Sequence, residues 1–183
     1  MAVKSSVFIA TSLDGFIARA DGDLDWLTEN GNNQGNEDYG YQKFIDSVDA
    51  VIMGRNTFEK VLTFSLEKWP YSKRVIALTT HSLEIPDHLT DKVTVMSGSP
   101  RVIVDQLSRE GLNHFYIDGG KTIQSFLNAG LINEMIITRI PVIIGDGIPL
   151  FGPVENDIRL KHISTTSFKS GLVQSKYKMA GDI

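Results

Sequence analysis

The chain has 183 residues, a formal net charge of −4 at pH 7 and no cysteine. The lack of cysteine excludes disulfides, thiolate catalysis and cysteine-based metal centres. The negative charge gives no electrostatic reason to expect nucleic acid or an anionic membrane as a partner. With 42% hydrophobic residues and no apolar run of the ~20 residues that span a bilayer, the composition predicts a single cytoplasmic domain over residues 1–183.

The first part of the chain predicts a buried strand, a turn and a helix. The strand is Ser6 to Thr11, and it leads into the turn Ser12-Leu13-Asp14-Gly15, whose carboxylate is available to cap a backbone or to do chemistry. Asn30 to Asn36 is polar and rich in glycine, which predicts a mobile loop. From Glu37 onward apolar residues recur at helical spacing, and Asp38 falls in the first turn of that helix.

The middle of the chain predicts further buried strands that alternate with helices. Ala50 to Met53 is a strand that ends at Gly54, and Arg55 is placed to reach an anion near the start of the helix that follows. The next two predicted strands are Arg74 to Leu78 and Val93 to Met96. Each strand is short and rich in β-branched residues, as expected for a strand that is buried on both faces.

The stretch from His114 to Leu131 combines a strand, a glycine pair and a helix. Phe115 to Ile117 is the strand, Gly119 and Gly120 break the pattern, and Gly130 caps the helix. Paired glycines let backbone N–H groups approach a ligand closely, and a helix start carries partial positive charge. The pattern therefore fits either a phosphate site or an ordinary glycine turn, and local sequence does not decide between them.

The alternation of strands and helices through residue 130 predicts an α/β fold with a mostly parallel central sheet and flanking helices. The last third of the chain lacks this alternation of strands and helices. Met135 to Ile144 predicts one long strand. Ile158 to Ile163 and Val173 to Met179 alternate between polar and apolar residues, which predicts an antiparallel, half-buried C-terminal hairpin.

Several kinds of site are excluded by spacing. The four histidines are scattered without metal-ligand spacing, so no metal site is expected. There is no nucleophile elbow, no Walker A sequence and no G-x-G-x-x-G fingerprint. What remains are polar and glycine residues at strand ends, which converge on one crevice in a parallel sheet.

These segments, taken together and in order, resemble the dihydrofolate reductase superfamily. Within it they are most similar to the riboflavin-biosynthesis reductase domain, the C-terminal domain of a bifunctional deaminase–reductase. The motifs that carry the resemblance span nearly the whole chain: Ser12-Leu13-Asp14-Gly15, Met53-Gly54-Arg55-Asn56-Thr57-Phe58-Glu59, Asp118-Gly119-Gly120, Leu131-Ile132-Asn133-Glu134 and Pro141-Val142-Ile143-Ile144-Gly145-Asp146-Gly147-Ile148-Pro149-Leu150-Phe151.

The resemblance implies a dihydrofolate-reductase-like fold and NADPH as the cofactor. It implies Arg55 as the residue that faces the adenosine 2′-phosphate, a role that suits a planar guanidinium. The cofactor residues that it implies are Gly54, Arg55 and Thr57 at the phosphates, Thr79 and Thr80 at the adenosine, Gly119, Gly120, Lys121 and Thr122 at the pyrophosphate, and Ala10 and Ile17 at the nicotinamide.

The resemblance also implies a catalytic acid, for which the sequence offers two candidates. Counting back from Val51, as in dihydrofolate reductases, gives Asp38. The segment before it does not match the family's proline-containing approach, and a carboxylate in a first helical turn is common without function. Asp14 is the rival, because it lies where the first strand meets the implied nicotinamide site.

Three functions are compatible with these features. The first is an NADPH-dependent reductase of a pteridine-like or ribosylaminopyrimidine-like small molecule, of the dihydrofolate reductase or 5-amino-6-(5-phosphoribosylamino)uracil reductase type. The second is a nucleotide-binding protein of the same fold without reductase activity. The third is a scaffold whose C-terminal third makes a dimer. A homodimer through that region is expected in any case, because an apolar sheet edge should not stay bare.

Overall fold

The computed structural model describes residues 3–29, 37–64 and 69–181. Its strands are β1 (Lys4–Thr11), β2 (Phe16–Ala18), β3 (Ala50–Gly54), β4 (Arg74–Leu78), β5 (Val93–Met96), β6 (His114–Asp118), β7 (Glu134–Arg139), β8 (Ile148–Pro149), β9 (Leu160–Ser167) and β10 (Val173–Met179). Its α-helices are α1 (Asp25–Glu29), α2 (Tyr41–Asp46), α3 (Arg55–Leu62), α4 (Pro100–Arg109) and α5 (Gly120–Asn128).

The described residues form one eight-stranded sheet in the order β5-β4-β3-β6-β1-β7-β10-β9, and β2 pairs with β8 apart from it. The strands from β5 to β7 in that order run parallel, whereas β10 is antiparallel to both β7 and β9. The predicted α/β class, with a mostly parallel sheet and an antiparallel C-terminal hairpin, is confirmed.

Helices cover both faces of the sheet, and β3 shows how the sequence provides for this. Ala50 and Ile52 face the core that contains residues of α4 and α5, whereas Val51 and Met53 face the core that contains residues of α2 and α3. All four side chains are completely buried. A strand covered on both sides needs an apolar residue at every position, which explains the unbroken apolar run.

The chain reverses its direction across the sheet between β1 and β6. After β1 it builds β3, β4 and β5 on one side, and after β6 helix α5 carries it past β1 to β7 on the other side. β1 pairs with β6 from Lys4 to Ser6 but with β7 from Ser6 to Thr11. Toward their carboxyl ends β1 and β6 therefore no longer pair with each other in the described chain, although β1 still pairs with β7 and β6 with β3. Ligands of α/β proteins bind in the crevice at such a reversal point.

Some predicted boundaries are wrong, and each error has a local cause. The strand predicted from Met135 to Ile144 ends at Arg139, because Pro141 has no N–H for the ladder and Val142 N–H bonds back to the Ile140 carbonyl. The helix predicted from Glu37 begins at Tyr41, after Gly40 with φ of 83°.

The C-terminal hairpin also differs from its prediction. Its first strand is Leu160–Ser167, and every residue of that strand is exposed, although alternation predicts half-burial. This strand lies at the edge of the sheet. One face of an edge strand is buried only if another layer of structure packs against it. The loop predicted at Asn30 to Asn36 lies outside the described residues.

Candidate active site

Two strand-to-helix turns lie side by side at the carboxyl edge of the sheet. β3 and β6 are parallel neighbours, and Gly54 and Gly119 are the N-caps of α3 and α5. A Cβ atom added to Gly54 would lie 3.0 Å from the Thr122 hydroxyl oxygen, and one added to Gly119 would overlap the Thr57 hydroxyl. Each helix therefore packs a threonine against the glycine turn of the other.

The starts of α3 and α5 are open to a ligand. Among the described residues no side chain caps either helix, because both N-cap residues are glycines. The first backbone N–H groups of each helix have no partner within that helix. Two adjacent helix starts also concentrate partial positive charge at one place. The arrangement suits a ligand with more than one phosphate group.

Two cationic side chains lie in the first turns of these helices. Arg55 begins α3, and its Nε donates a hydrogen bond at 2.7 Å to Oε1 of Glu59, one turn further along the helix. Lys121 is exposed in the first turn of α5. The structure thus places both predicted phosphate-binding cations at the paired glycine turns.

The predicted adenosine-binding residues lie on the same edge of the sheet. Thr79 and Thr80 follow directly after β4, which is the neighbour of β3. The Thr79 hydroxyl accepts a hydrogen bond from the His81 backbone N–H at 3.0 Å, so it forms a local turn there. The order β4, β3, β6 along the edge therefore runs from these threonines to the paired glycine turns.

The predicted nicotinamide residues lie on the other side of the crevice. Ala10 is in the part of β1 that pairs only with β7 in the described chain. Ile17 is in β2, and a Cβ atom on Gly120 would lie 3.0 Å from Ile17 Cδ1 and 3.3 Å from the Pro149 carbonyl oxygen. The β2–β8 pair therefore covers the start of α5 and closes one side of the crevice.

Asp118 is a carboxyl group at the crevice to which the sequence analysis assigned no role. It is the last residue of β6, and burial raises its pKa from 3.8 to about 6. The pKa of Asp118 is raised even though two hydrogen bonds favour its charged form. Oδ1 accepts a hydrogen bond from the Gly119 N–H at 2.8 Å, and Oδ2 accepts one from the Tyr71 hydroxyl at 3.5 Å. Asp118 as a whole residue, backbone included, is partly exposed. A carboxyl group with a strongly shifted pKa in a crevice is a candidate catalytic group.

Six aromatic side chains pack together in the core that contains Tyr71 and Tyr116, the two tyrosines that bond to Asp118, and we call them the aromatic cluster. Its members are Phe8, Tyr41, Phe44, Trp69, Tyr71 and Tyr116. Ring centroids lie 5.6 Å apart for Phe8–Tyr41, 5.0 Å for Phe44–Tyr116 and 5.4 Å for Trp69–Tyr71. Burial and the nearby Asp118 raise the pKa of the three tyrosines, that of Tyr41 to about 12. Their hydroxyls therefore stay uncharged.

Asp38, the first predicted acid, precedes α2 and is exposed. Its carboxylate accepts the backbone N–H groups of Gly40 and Gln42, each at 2.9 Å, and these bonds lower its pKa. A lowered pKa is the opposite of what a proton donor needs near neutral pH. The contacts fit the simpler interpretation of Asp38, a carboxylate that stabilises a helix start.

Asp14, the second predicted acid, joins two loops. Its oxygens accept the N–H groups of Ile144 at 3.2 Å and Gly145 at 2.8 Å. The Ser12 hydroxyl and these backbone bonds lower the pKa of Asp14. Because the tied loops lead into β2 and β8, Asp14 positions the β2–β8 cover. The described contacts give it an anchoring role.

Two other kinds of feature were searched for over the described ranges. No group of three or more histidine, aspartate or glutamate residues that could hold a metal ion occurs in them. None of their helices is long and apolar enough to cross a membrane.

Two relatives match this chain over nearly their whole length. YwjB of Bacillus subtilis (strain 168), an uncharacterised protein, is 39% identical over 169 residues, which are 90% of this chain and 92% of YwjB. The crystal structure of a putative riboflavin biosynthesis protein from Shewanella sp. PV-4 is 44% identical, with a TM-score of 0.91 over 98% of this chain and 99% of that one.

A more distant structure confirms the fold. Dihydrofolate reductase from Enterococcus faecalis, solved in complex with NADP(H), is 16% identical and has a TM-score of 0.64 over 97% of this chain and 96% of its own. The fold is thus that of dihydrofolate reductase, as the motifs implied. The model of the RibD C-terminal domain matches residues 4–174, from β1 into β10. The chain therefore belongs to the RibD C-terminal domain family.

Proposed function

We propose that the protein is an NADPH-dependent reductase of a small nitrogen heterocycle. The observation that carries this proposal is the position of Asp118, a carboxyl group with a raised pKa, next to the paired glycine turns. A group that can hold a proton and a cradle for cofactor phosphates thus meet at one crevice. Family membership and the NADP(H) complex of the Enterococcus enzyme support the same function.

The residues at the carboxyl edge fit NADPH. The open starts of α3 and α5 offer backbone N–H groups to the pyrophosphate, and glycine at both N-caps allows close approach. Arg55, with Thr79 and Thr80 on the adjacent strand end, suits the adenosine 2′-phosphate. The crevice between β1 and β6 is left for the nicotinamide and the acceptor.

The chemistry of the reaction divides between the cofactor and Asp118. When bound, NADPH supplies a hydride, which carries two electrons. The carbon of an acceptor C=N bond takes the hydride, the π electrons of that bond move to nitrogen, and the nitrogen takes a proton. Asp118 holds this proton, because burial keeps its carboxyl group partly protonated near pH 6.

Other residues keep water from the reacting atoms. The β2–β8 pair lies over the start of α5, and the bonds from Asp14 hold the adjoining loops in place. The aromatic cluster helps to bury Asp118 through Tyr71 and Tyr116. Exclusion of water strengthens the electrostatic effect of the charges that remain and protects the hydride from side reactions.

Two measurements test this proposal. NADPH should bind saturably with a Kd below ~1 mM, the usual upper range for enzyme substrates. With NADPH present, pterins, folates and ribosylaminopyrimidines should be screened for acceptor-dependent loss of NADPH absorbance. Lack of NADPH binding would contradict the proposal altogether. Binding without oxidation by any acceptor would instead indicate a nucleotide-binding protein, which the paired glycine turns alone can explain.

A further inference from the structure

A row of polar side chains crosses the sheet at the base of the crevice. His114 of β6, Ser6 of β1 and Glu134 of β7 follow one another across three neighbouring strands. Nε2 of His114 lies 2.8 Å from Oγ of Ser6, and the same Oγ lies 3.3 Å from Oε1 of Glu134. Ser6 is completely buried and Glu134 is 4% exposed. The row therefore links β6 to β7 through a buried hydroxyl group.

The row lies where the two walls of the crevice meet. Ser6 is the last residue of β1 that pairs with β6 and the first that pairs with β7. Beyond it, toward Ala10 and Asp118, β1 and β6 no longer pair with each other in the described chain. Side-chain bonds at the level of Ser6 thus join the strands that separate to form the crevice.

The neighbours of His114 fix which ring nitrogen carries the proton when the ring is neutral. Nδ1 lies 2.7 Å from the backbone carbonyl oxygen of Ser47, which directly follows α2. A carbonyl oxygen only accepts hydrogen bonds, so Nδ1 is the protonated nitrogen and Nε2 is the acceptor. The Ser6 hydroxyl then donates to Nε2, and its single proton is not shared with Glu134.

Protonation of His114 reverses this chain of hydrogen bonds. A second proton on the ring makes Nε2 a donor as well. Oγ of Ser6 then accepts from Nε2, and the hydroxyl proton turns to Oε1 of Glu134, which already lies within hydrogen-bond distance. The heavy atoms stay in place, and charge-assisted hydrogen bonds connect the charged ring to the carboxylate.

The charged groups around the row are two lysines and two carboxylates. Lys4 of β1 and Lys176 of β10 contact the Glu134 carboxylate, at 2.9 and 3.2 Å. Asp49, between α2 and β3, accepts the backbone N–H of His114 at 2.8 Å. Burial, together with Lys4, lowers the pKa of His114 from 6.5, although Glu134 and Asp49 oppose this shift. The ring is therefore neutral near pH 7 and titrates in mild acid.

We propose that Ser6 is a hydrogen-bond relay that lets His114 take up a proton while β6, β1 and β7 stay joined at the base of the crevice. The hydroxyl donates to His114 when the ring is neutral and to Glu134 when the ring is protonated. The two walls of the crevice thus keep a side-chain link as the pH falls. The relay is independent of the proposed reductase function, because His114 and Asp118 lie at opposite ends of β6.

Nitrogen NMR of the histidine rings in the full chain, followed from about pH 8 to about pH 5, tests the relay across the range in which histidine titrates. Neutral His114 should carry its proton on Nδ1, and both ring nitrogens should carry protons at the acid end. A neutral ring that is protonated on Nε2 would overturn the inference, because the Ser6 hydroxyl could then not donate to it.

Ser6→Ala separates a relay from a simple hydrogen bond to the neutral ring. If the hydroxyl only donates to neutral His114, its loss should leave the proton affinity of the ring unchanged or raise it. If the hydroxyl links the protonated ring to Glu134, its loss should lower that affinity about tenfold, since charge-assisted bonds are the stronger ones. Ser5→Ala is the matched control, because Ser5 is also buried, at 1% exposure, but its side chain points to the opposite face of β1. An affinity in Ser6→Ala that equals or exceeds that of the unmodified protein overturns the inference.

Urea unfolding of the same two variants measures the consequence for folding. Folding lowers the pKa of His114, so the stability that its neutral form contributes is present above pH 6.5 and is lost as pH falls through the folded-state pKa. Ser6→Ala should lower that pKa further. Between about pH 8 and about pH 5, its unfolding equilibrium constant should therefore rise about threefold to tenfold more than that of Ser5→Ala. Equal pH dependence in the two variants would show that Ser6 takes no part in proton uptake.

Discussion

Asp118 and Asp38 are chemically identical side chains whose environments give them opposite proton affinities. Burial removes the Asp118 carboxyl group from water, which disfavours the charged form and raises its pKa. Asp38 keeps its water and accepts two backbone N–H bonds, which favour the charged form and lower its pKa. Only the first environment keeps a proton available near pH 6, so the proposed donor is Asp118.

Arg55 is the residue that we expect to distinguish NADPH from NADH. Replacing Arg55 with alanine should weaken NADPH binding by ~1–3 kcal/mol, the range for hydrogen bonds to charged groups, and should leave NADH binding nearly unchanged. The reason is that only NADPH has the 2′-phosphate that the guanidinium can contact. Equilibrium titration of both cofactors measures the difference. Arg109→Ala, in the last turn of α4, is the control, and equal losses for both cofactors would contradict the assignment.

At the scale of elements, the packing of α3 against α5 depends on glycine at the turn. Gly119 and Gly111 have φ of 88° and 91°, but a Cβ atom on Gly119 would overlap the Thr57 hydroxyl, whereas Gly111 has open space. Gly111→Ala should cost ~1 kcal/mol through backbone strain alone. Gly119→Ala should cost at least twice that and should also weaken NADPH binding, because α5 must move.

Urea unfolding of the two alanine variants measures this difference directly. Positive φ strains both variants, so the additional loss in Gly119→Ala reports the Thr57 contact together with the ψ of 139° at Gly119. Similar destabilisation of both variants, with unchanged NADPH binding, would show that the contact between the two turns does not hold the helix starts in place.

Strands whose own residues are mostly apolar could be predicted from the sequence. The central residues of β3 and β6 are apolar because helices cover both faces of these strands, so a local apolar run in the sequence was sufficient to predict them. The short strands Phe16–Ala18 and Ile148–Pro149 could not be predicted, since each exists only through its pairing with the other. The importance of Asp118 was missed for a similar reason, because Tyr41 and Tyr71 bury it from distant parts of the chain.

At the scale of the whole molecule, the open edge of the sheet predicts an assembly. β9 is the outermost strand and all its residues are exposed, including Leu160 at 40% and Ile163 at 43%. An apolar groove of about 520 Å³ adjoins it, lined by Leu127, Phe151 and Val154 among others. Bare strand edges recruit further strands, and two-fold pairing is the commonest solution. We propose a homodimer through this surface.

Sedimentation equilibrium tests the dimer. We expect a mass twice the 20.3 kDa of the chain at micromolar concentration. Ile163→Lys in β9 should shift the equilibrium toward the monomer, because it places charge on the proposed interface. Val102→Lys, at an exposed position on α4, should not. A 20.3 kDa species alone in the unmodified protein would rule the dimer out.

The central claim is that Asp118 gives the proton that accompanies the hydride, and the pH dependence of single-turnover NADPH oxidation tests it most directly. In the unmodified protein the rate should be constant below about pH 6 and should fall as Asp118 ionises above it. Asp118→Asn should lower the rate ~10²–10⁴-fold and abolish this dependence, with NADPH affinity nearly unchanged.

Stability gives an independent control for this variant. Folding raises the pKa of Asp118 from 3.8 to about 6, so the stability that its protonated form contributes is lost as pH rises from about 4 to about 6 and does not return at higher pH. Asp118→Asn should therefore be at least as stable as the unmodified protein at pH 8, and lost activity would not reflect unfolding. A variant that keeps the full rate, with the same dependence on pH, would contradict the account.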